Sequence, residues 1–160
     1  GGELVAVSLS RRLPELPLTA LRFFTVYGPR QRPEMAISSW TRALLEGRPL
    51  RLFSDGSMRR DFTHVDDIVG GVLAALERRR PGYRVYNLGS GAPVDLRALV
   101  SALGQAVGVE PQVDRDPVPL GDVEATYADI RRARHELGWA PQVSLSDGLR
   151  SVVDWVRPSG

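Results

Sequence analysis

Short apolar, β-prone runs alternate with amphipathic stretches along this chain, and this alternation limits the possible folds more than any other feature of the sequence. Runs with the length and composition of strands lie at 18–24, 50–53 and 83–88. Apolar residues recur at helical spacing over 3–13, 36–46, 66–79, 95–106, 130–137 and 146–156. Strands that alternate with helices in this way predict an α/β or α+β fold.

The ends of the predicted elements carry ordinary start and stop signals. Thr63 and Asp95 are the predicted caps of the helices that follow them, and Gly47 is the predicted stop of the helix before it. A short strand is predicted at 109–113, and irregular structure over 114–125. Because few of the runs look like core strands of a parallel sheet, we expect the end of one sheet plus a small appended lobe.

Composition excludes several classes of protein. The chain has 160 residues, of which 42% are hydrophobic and 25% charged, as in an ordinary globular domain. It has no cysteine, which excludes disulfides, and all 21 of its lysine-or-arginine positions are arginine. The formal charge of +2 is too small to indicate a nucleic-acid partner. No apolar run approaches the ~20 residues that span a bilayer, and the first residues lack the pattern of a signal peptide. We therefore expect a cytoplasmic protein that does not contact membranes.

Several polar residues have ordinary structural explanations. The two histidines, His64 and His135, lie far apart and have no partner at metal-ligand spacing, so we predict no metal site. Asp66 and Asp67 lie in the predicted first turn of a helix, where capping and the helix dipole explain them. The Gly-Ser-Gly sequence at 89–91 lacks the third glycine of a dinucleotide-binding fingerprint.

Two pairs of arginines are candidate anion sites. Arg30 and Arg32 lie in a loop that two prolines stiffen, directly after a predicted buried strand. Open α/β sheets bind ligands at the carboxyl ends of their strands. Arg59 and Arg60 precede Asp61, and two arginines beside one aspartate leave a positive charge that a phosphate or carboxylate would balance. Solvated surface arginines are the alternative interpretation.

Distinctive motifs lie along nearly the whole chain, at 21–36, 53–56, 60–68, 86–91, 121–123, 127–129 and 137–141. In their residues and their order they resemble the motifs of the extended short-chain dehydrogenase/reductase superfamily. Within it, Phe-Phe-Thr-Val-Tyr-Gly-Pro at 23–29 and Arg-Pro-Glu-Met-Ala at 32–36 are most similar to UDP-glucuronate epimerases. The resemblance implies the C-terminal part of a Rossmann-type α/β fold, with a few sheet strands plus the small mixed α/β substrate-binding lobe.

The first motif implies contacts with the cofactor and the sugar. By the resemblance, Phe23 and Phe24 would line the nicotinamide side of NAD, which is the implied cofactor. Thr25 would contact the sugar. Arg32 would meet the carboxylate of glucuronate, since a guanidinium forms a planar fork that matches a carboxylate.

The later motifs imply the nucleotide part of the site. By the same resemblance, Leu52 and Phe53 would lie along the uracil. Arg60 would bind the diphosphate, and Asp122 would bind the ribose hydroxyls. The implied partner of the chain is therefore a UDP-sugar.

The chain also departs from the family's pattern. The glycine-rich phosphate loop and the catalytic serine or threonine, tyrosine and lysine are not found, and the sequence has no lysine at all. We therefore expect residues 1–160 to be a single C-terminal substrate-binding region that lacks the N-terminal NAD-binding half, has no catalytic residue and is inactive alone. The implied parent enzyme oxidises C4 of UDP-glucuronate or a related UDP-sugar to a transient 4-keto intermediate and returns the hydride to the other face.

Other functions remain open at this point. A nucleotide-sugar decarboxylase or a 4,6-dehydratase shares the implied architecture, and a nucleotide-sugar-binding module without chemistry is a third possibility. An arginine-rich nucleic-acid binder is the most distant one, and its binding would fall steeply with salt. We expect the parent to be a homodimer, and the isolated chain to self-associate through exposed apolar surface.

Overall fold

Helices and strands alternate as the sequence pattern requires in the computed structural model, which describes residues 1–53, 55–116 and 123–157. The helices are α1 (Gly2–Arg12), α2 (Ala36–Leu45), α3 (Val65–Glu77), α4 (Leu96–Val107), α5 (Arg131–Leu137) and α6 (Leu145–Val156). The strands are β1 (Pro17–Phe23), β2 (Thr25–Tyr27), β3 (Leu50–Phe53), β4 (Arg59–Arg60), β5 (Phe62–His64), β6 (Gly82–Leu88), β7 (Val94–Asp95) and β8 (Val113–Asp116).

The strands of the described residues pair two by two. β1 runs parallel to β6, with Leu21 opposite Tyr86, and β2 runs parallel to β5, with Thr25 opposite Phe62. β3 runs parallel to β8, whereas β4 and β7 are antiparallel. Parallel strands need a crossover between them, and the helices supply it. The α/β class predicted from the alternation is therefore confirmed.

Two apolar clusters form the core. The first joins α2, α4 and α6 to β3, and its buried residues include Ile37, Leu44, Leu50, Leu99, Leu103, Leu149, Val152 and Val153. The second packs α3 and α5 against β1 and β6, and its buried residues are Ile68, Ala75, Tyr86, Leu88, Ala128, Ile130, Ala133, Leu137 and Trp139. Separate clusters of this kind agree with a sheet end plus a small lobe.

Most predicted boundaries lie within two residues of the observed ones, but two local predictions were wrong. The cap of α3 is His64 rather than Thr63, because the imidazole accepts the N–H of Asp66 at 3.3 Å. The strand expected at 109–113 is β8, which begins at Val113 and continues into the stretch predicted to be irregular. Its residues are mostly exposed and charged, so no apolar pattern marks it. The predicted cap Asp95 is confirmed, since it accepts the N–H of Ala98 at 2.8 Å.

Apolar side chains are also exposed on two helices. None of the residues of α1, all of which are described, is buried, and Leu4 and Val5 are 75% and 68% exposed. On α3, Leu73 and Leu76 are more than half exposed. Within the described residues, no helix is long and apolar enough to cross a membrane. The predicted self-association through apolar surface stays a prediction.

Candidate functional site

A cleft of about 300 Å³ opens beside the first apolar cluster, where the N-terminal end of α2 approaches β3, β4 and β5. Its lining residues are Thr25, Glu34, Ala36, Ser39, Trp40, Arg51, Phe53, Met58, Arg60, Phe62 and Leu96. Trp40, Met58 and Phe62 are buried and give the cleft an apolar floor. An apolar cavity with a few converging polar groups is typical of a small-molecule site.

Strand geometry brings an arginine and an aromatic ring to the cleft from β3. Side chains of β3 alternate, so that Leu50 and Leu52 are buried while Arg51 and Phe53 are exposed. Arg51 pairs with Asp116 of β8, with 2.8 Å between Nε and Oδ2. The ring of Phe53 remains 39% exposed. One face of this short strand therefore supplies a flat apolar surface beside a cation.

Arg60 brings a second cation to the cleft, from β4. Its Nη1 donates to the backbone carbonyl of Arg59 at 2.9 Å and to that of Glu124 at 3.4 Å. These contacts tie the guanidinium to the segment that follows residue 122. Arg59 itself donates to the carbonyl of Pro93 at 3.1 Å and does not line the cleft.

The N-terminal end of α2 is open toward the cleft. Ala36 and Ser39, in its first turn, are lining residues. Within the described part of the chain, the N-cap residue Met35 makes no side-chain capping hydrogen bond. The first N–H groups of a helix point outward and carry the positive end of its dipole. An anion in the cleft would therefore be stabilised both by this helix end and by arginine.

The loop between β2 and α2 forms the rim. Gly28 has φ 149°, and a Cβ there would lie 2.6 Å from Cγ1 of Val65, so only glycine fits. Gln31 donates from Nε2 to the carbonyl of Val26 at 2.9 Å, which ties the loop to β2. Arg32 is exposed and lies with its Nε 3.6 Å from Oε1 of Glu34. The backbone of the rim is thus held in place while the arginine side chain extends into solvent.

Asp61 lies next to the cleft in the chain and links two loops through its buried carboxylate. It is fully buried, and its carboxylate accepts the backbone N–H groups of Ser90 at 2.6 Å, Gly91 at 3.0 Å and Ala128 at 3.0 Å. Its backbone carbonyl accepts the N–H of Thr25 at 3.1 Å. The sequence suggested that Asp61 balances part of the charge of Arg59 and Arg60, but in the structure backbone amides of two loops bind its carboxylate in the interior.

The other singled-out polar residues are structural. His64 is buried, and its Nε2 lies 3.0 Å from Oγ of Ser151, which agrees with the structural role expected for it. Asp67 is buried too, and it accepts the backbone N–H groups of Gln142 at 2.8 Å and Val143 at 3.1 Å. Its role is therefore to fix the loop before α6, and the explanation by helix capping was wrong for it.

Tyr27 is a buried tyrosine next to the floor of the cleft. Its ring meets Phe62 edge to face, with 6.4 Å between centroids. Burial raises the pKa of its phenol well above the usual value, and the nearby charges of Asp67 and Asp147 raise it further. At neutral pH the phenol therefore stays protonated.

The structure brings together some of the residues that the motifs point to and separates others. Thr25, Phe53 and Arg60 line one cleft, whereas the side chain of Leu52 is buried in the core and does not line it. Arg32 lies on the rim. Asp122 lies outside the described residues.

The two phenylalanines assigned to the cofactor lie at the carboxyl end of β1 and have different surroundings. Phe23 is 51% exposed. Phe24 is only partly exposed and packs against the second apolar cluster. Only the ring of Phe23 therefore presents a large free surface at this end of the strand.

Several lining residues were not found from the sequence. Glu34, Ser39, Arg51 and Met58 come from three separate segments, and no spacing in the sequence links them. A signal did exist for Arg51, because it alternates with two buried leucines in a predicted strand. The chain also has a larger cleft of about 560 Å³, but it contains none of the predicted site residues. Its three arginines, Arg22, Arg131 and Arg132, are paired with carboxylates at 2.6 Å, 2.6 Å and 2.8 Å.

Comparison with known proteins identifies the family. Residues 2–89 match the NAD dependent epimerase/dehydratase family. The chain belongs to this family. Its resemblance to extended short-chain dehydrogenases/reductases is thereby confirmed, and the dependence on NAD is a property of the family.

Individual relatives of the chain agree with the family match. A UDP-glucuronate 4-epimerase from Thermodesulfobacterium geofontis is 35% identical over 158 residues, covering 98% of this chain and 48% of that protein. The crystal structure of the UDP-glucuronic acid 4-epimerase from Bacillus cereus, in complex with UDP-glucuronic acid and NAD, has a TM-score of 0.88 at 37% identity and covers 96% and 49%. A dTDP-glucose 4,6-dehydratase from Streptomyces venezuelae has a TM-score of 0.87 at 33% identity and covers 97% and 48%. The chain thus spans about half the length of these relatives.

Proposed function

We propose that the protein that carries this chain is an NAD-dependent epimerase that acts at C4 of UDP-glucuronate or a related UDP-sugar, and that these residues bind the UDP-sugar. The observation that carries the proposal is the cleft itself. Within one small volume it combines an exposed aromatic ring, an arginine and an open helix end. A uridine diphosphate has the matching parts, which are a flat base and two adjacent anionic phosphates.

The diphosphate fits between Arg60 and the first turn of α2. A guanidinium offers parallel N–H donors to a phosphate, and an open helix end adds backbone N–H groups and the positive end of a dipole. Ala36 lines the cleft at that helix end. With no large side chain there, a phosphate could approach the backbone.

The base and the sugar of the ligand would contact the other residues of the cleft. Phe53 offers an exposed ring on which uracil would lie, with Leu52 behind it. Thr25 lines the cleft and follows the carboxyl end of β1 in the chain, and we assign its hydroxyl to a sugar contact. Arg32, on the rim, is the group we assign to the uronate carboxylate. Asp122 remains our candidate for the ribose hydroxyls.

NAD fits the exposed end of β1, where Phe23 presents an apolar ring. When bound, NAD would accept the C4 hydride of the sugar and return it to the opposite face of the 4-keto intermediate. Because these 160 residues include no lysine, a tyrosine–lysine pair would have to come from outside them. The role of this chain is then to hold and orient the sugar. A homodimeric, cytoplasmic enzyme is part of the same proposal.

A nucleotide-sugar 4,6-dehydratase is the second candidate, and the similarity to a dTDP-glucose 4,6-dehydratase favours it. The two functions differ in the ligand they predict. An epimerase of uronates should prefer UDP-glucuronate, and the dehydratase should prefer a dTDP-hexose without a carboxylate. A decarboxylase would also bind UDP-glucuronate but would release carbon dioxide.

The deciding experiment is a calorimetric titration of the complete protein with UDP-glucuronate, UDP-galactose and dTDP-glucose, followed by analysis of the products by nuclear magnetic resonance. We expect UDP-glucuronate to bind best and to be converted to its C4 epimer. Arg60→Ala should weaken all UDP ligands by about 10- to 100-fold, since a hydrogen bond to a charged group contributes roughly 1.5–3 kcal/mol.

Arg150→Ala is the matched control, because Arg150 is an exposed arginine of α6 that pairs with Asp147 away from the cleft. Its affinity for UDP ligands should stay within about twofold of the unaltered protein. Unchanged UDP binding in Arg60→Ala would contradict the proposed site. Preferred binding of dTDP-glucose would favour the dehydratase instead.

A further inference from the structure

Glu34 brings a negative charge to a cleft whose other charged lining residues are arginines. It lines the cleft together with Arg51 and Arg60, and although it belongs to the motif at 32–36, no role was assigned to it from the sequence. It lies two residues after Arg32 and directly before Met35, the N-cap of α2. In the chain it therefore stands between Arg32 and the first turn of the helix.

Glu34 lies beside Arg32 and the N-terminal end of α2, the two groups that the proposed function assigns to the anionic parts of the substrate. Its Oε1 lies 3.6 Å from Nε of Arg32, the guanidinium assigned to the uronate carboxylate. The helix end beside it attracts any anion within reach of its first turn. A glutamate side chain and a uronate end in the same group, a carboxylate. The two would compete for one guanidinium.

We propose that Glu34 tunes the specificity of the site: it pairs with Arg32 in the absence of substrate, yields Arg32 to the uronate carboxylate on binding, and so lowers the preference for a uronate over a neutral sugar. This inference rests on the proposed function. Discrimination between a uronate and a neutral hexose then depends on the displacement of Glu34 as well as on the presence of Arg32. A neutral sugar cannot displace it and leaves the internal pair in place.

The geometry makes this exchange inexpensive. The side chains of Arg32 and Glu34 are 77% and 62% exposed, and a solvent-exposed pair contributes only about 0.2–1 kcal/mol. The backbone does not have to move, since the bond from Gln31 to the carbonyl of Val26 holds the loop. Rotation of two side chains is enough.

The test is Glu34→Gln in the complete protein, with dissociation constants for UDP-glucuronate and UDP-glucose measured by calorimetry at low salt. Loss of a negative charge beside the helix end strengthens the diphosphate contact of both ligands, so the ratio of the two constants is the readout. We expect the preference for UDP-glucuronate to rise about two- to fivefold.

Two further variants give the test its specificity. Glu46→Gln removes another exposed glutamate that pairs with an arginine two residues away, Arg48, outside the cleft, and it should leave the ratio unchanged. In an Arg32→Ala background, Glu34→Gln should no longer raise the ratio. A ratio that stays constant in Glu34→Gln, or a rise that persists without Arg32, would overturn the inference.

The same measurements distinguish failure of the proposed function from failure of the role proposed for Glu34. If the unaltered protein binds neither UDP-glucuronate nor UDP-glucose, the proposed function is wrong, and the inference falls with it. If both ligands bind but Glu34→Gln leaves their ratio unchanged, the proposed function stands and only the role of Glu34 is wrong.

Discussion

At the scale of single residues, the shape of the cleft depends on Asp61, a buried aspartate that does not line the cleft. Asp61 lies between Arg60 and Phe62, which both line the cleft, yet its own side chain is turned into the interior. There it joins the loop after β6 to the segment around Ala128. A buried carboxylate is tolerated when several N–H donors replace the water it has lost. The positions of the two cleft residues therefore depend on this aspartate.

Asp61→Asn should destabilise the protein strongly. The amide keeps one acceptor oxygen but turns an NH2 group toward backbone N–H donors, which leaves donors unpaired in the interior. We expect a loss of about 3 kcal/mol in the free energy of unfolding, measured by urea denaturation. Asp154→Asn, an exposed change on α6, should stay within about 0.5 kcal/mol. Equal stability of the two variants would show that the interior bonds of Asp61 contribute little.

Some residues of the cleft could be predicted from the sequence, but their contacts could not. Thr25, Phe53 and Arg60 were found from motifs, and they do share one cleft. The network of Asp61 depends on how loops meet, because Asp61 and Ala128 are far apart in the chain. The pairing of Arg32 with Glu34 depends on the conformation of a single loop. Neither composition nor spacing contains that information.

At the scale of elements, close packing of a helix explains why one glycine cannot be replaced. Gly148 lies in the first turns of α6, and a Cβ there would lie 2.2 Å from Oη of Tyr27. Tyr27 is buried and held by ring contacts with Phe62 and His64, so it cannot retreat. The approach of α6 to β2 therefore requires a residue without a side chain.

Gly148→Ala should destabilise the protein by about 1–3 kcal/mol, because overpacking forces side chains or backbone to shift. Gly70→Ala is the matched control, since its Cβ in α3 would meet its nearest atom, of Trp139, at 3.8 Å. An alanine in a helix loses less conformational entropy on folding than glycine, so this variant should gain about 0.5–1 kcal/mol. Thermal unfolding of both variants provides the measurement, and shifts of the same sign would contradict the packing argument.

The elements themselves were predictable where burial leaves a pattern. Helices α2, α4 and α6 each bury one apolar face, and their periodicity located them within two residues. The bounds of strand β8 were not predicted correctly, because its side chains are charged and mostly exposed. It is held by backbone pairing with β3. Pairing across a long loop leaves no trace in local sequence.

At the scale of the whole molecule, acid stability depends on carboxylates whose pKa values are depressed by arginines. Arg131 lowers the pKa of Asp129 to about 2, through Nε at 2.9 Å, Nη2 at 2.6 Å and its own backbone N–H at 3.1 Å. Arg132 and the O–H of Tyr86 lower the pKa of Glu136. These groups lie in or beside α5, which packs on β6 as part of the second apolar cluster. Their ionisation is therefore linked to unfolding.

Asp129→Asn should change how stability depends on pH. In the unfolded chain the aspartate has a pKa near 3.9, above its folded value, so its contribution is fully present above about pH 4. As the pH falls through the folded value near 2, protonation removes that contribution. The stability difference between the unaltered protein and the variant should therefore be largest above about pH 4 and shrink toward pH 2. Urea midpoints between about pH 2 and 6 measure it.

Salt and a second variant complete this prediction. Because Asp129 and Arg131 are exposed, added salt should reduce the difference at neutral pH, since it screens their attraction. Asp114→Asn removes an exposed aspartate of β8 and should follow the unaltered protein across the pH range. A difference for Asp129→Asn that is the same at pH 6 and pH 2 would mean that the ion pair does not stabilise the folded state.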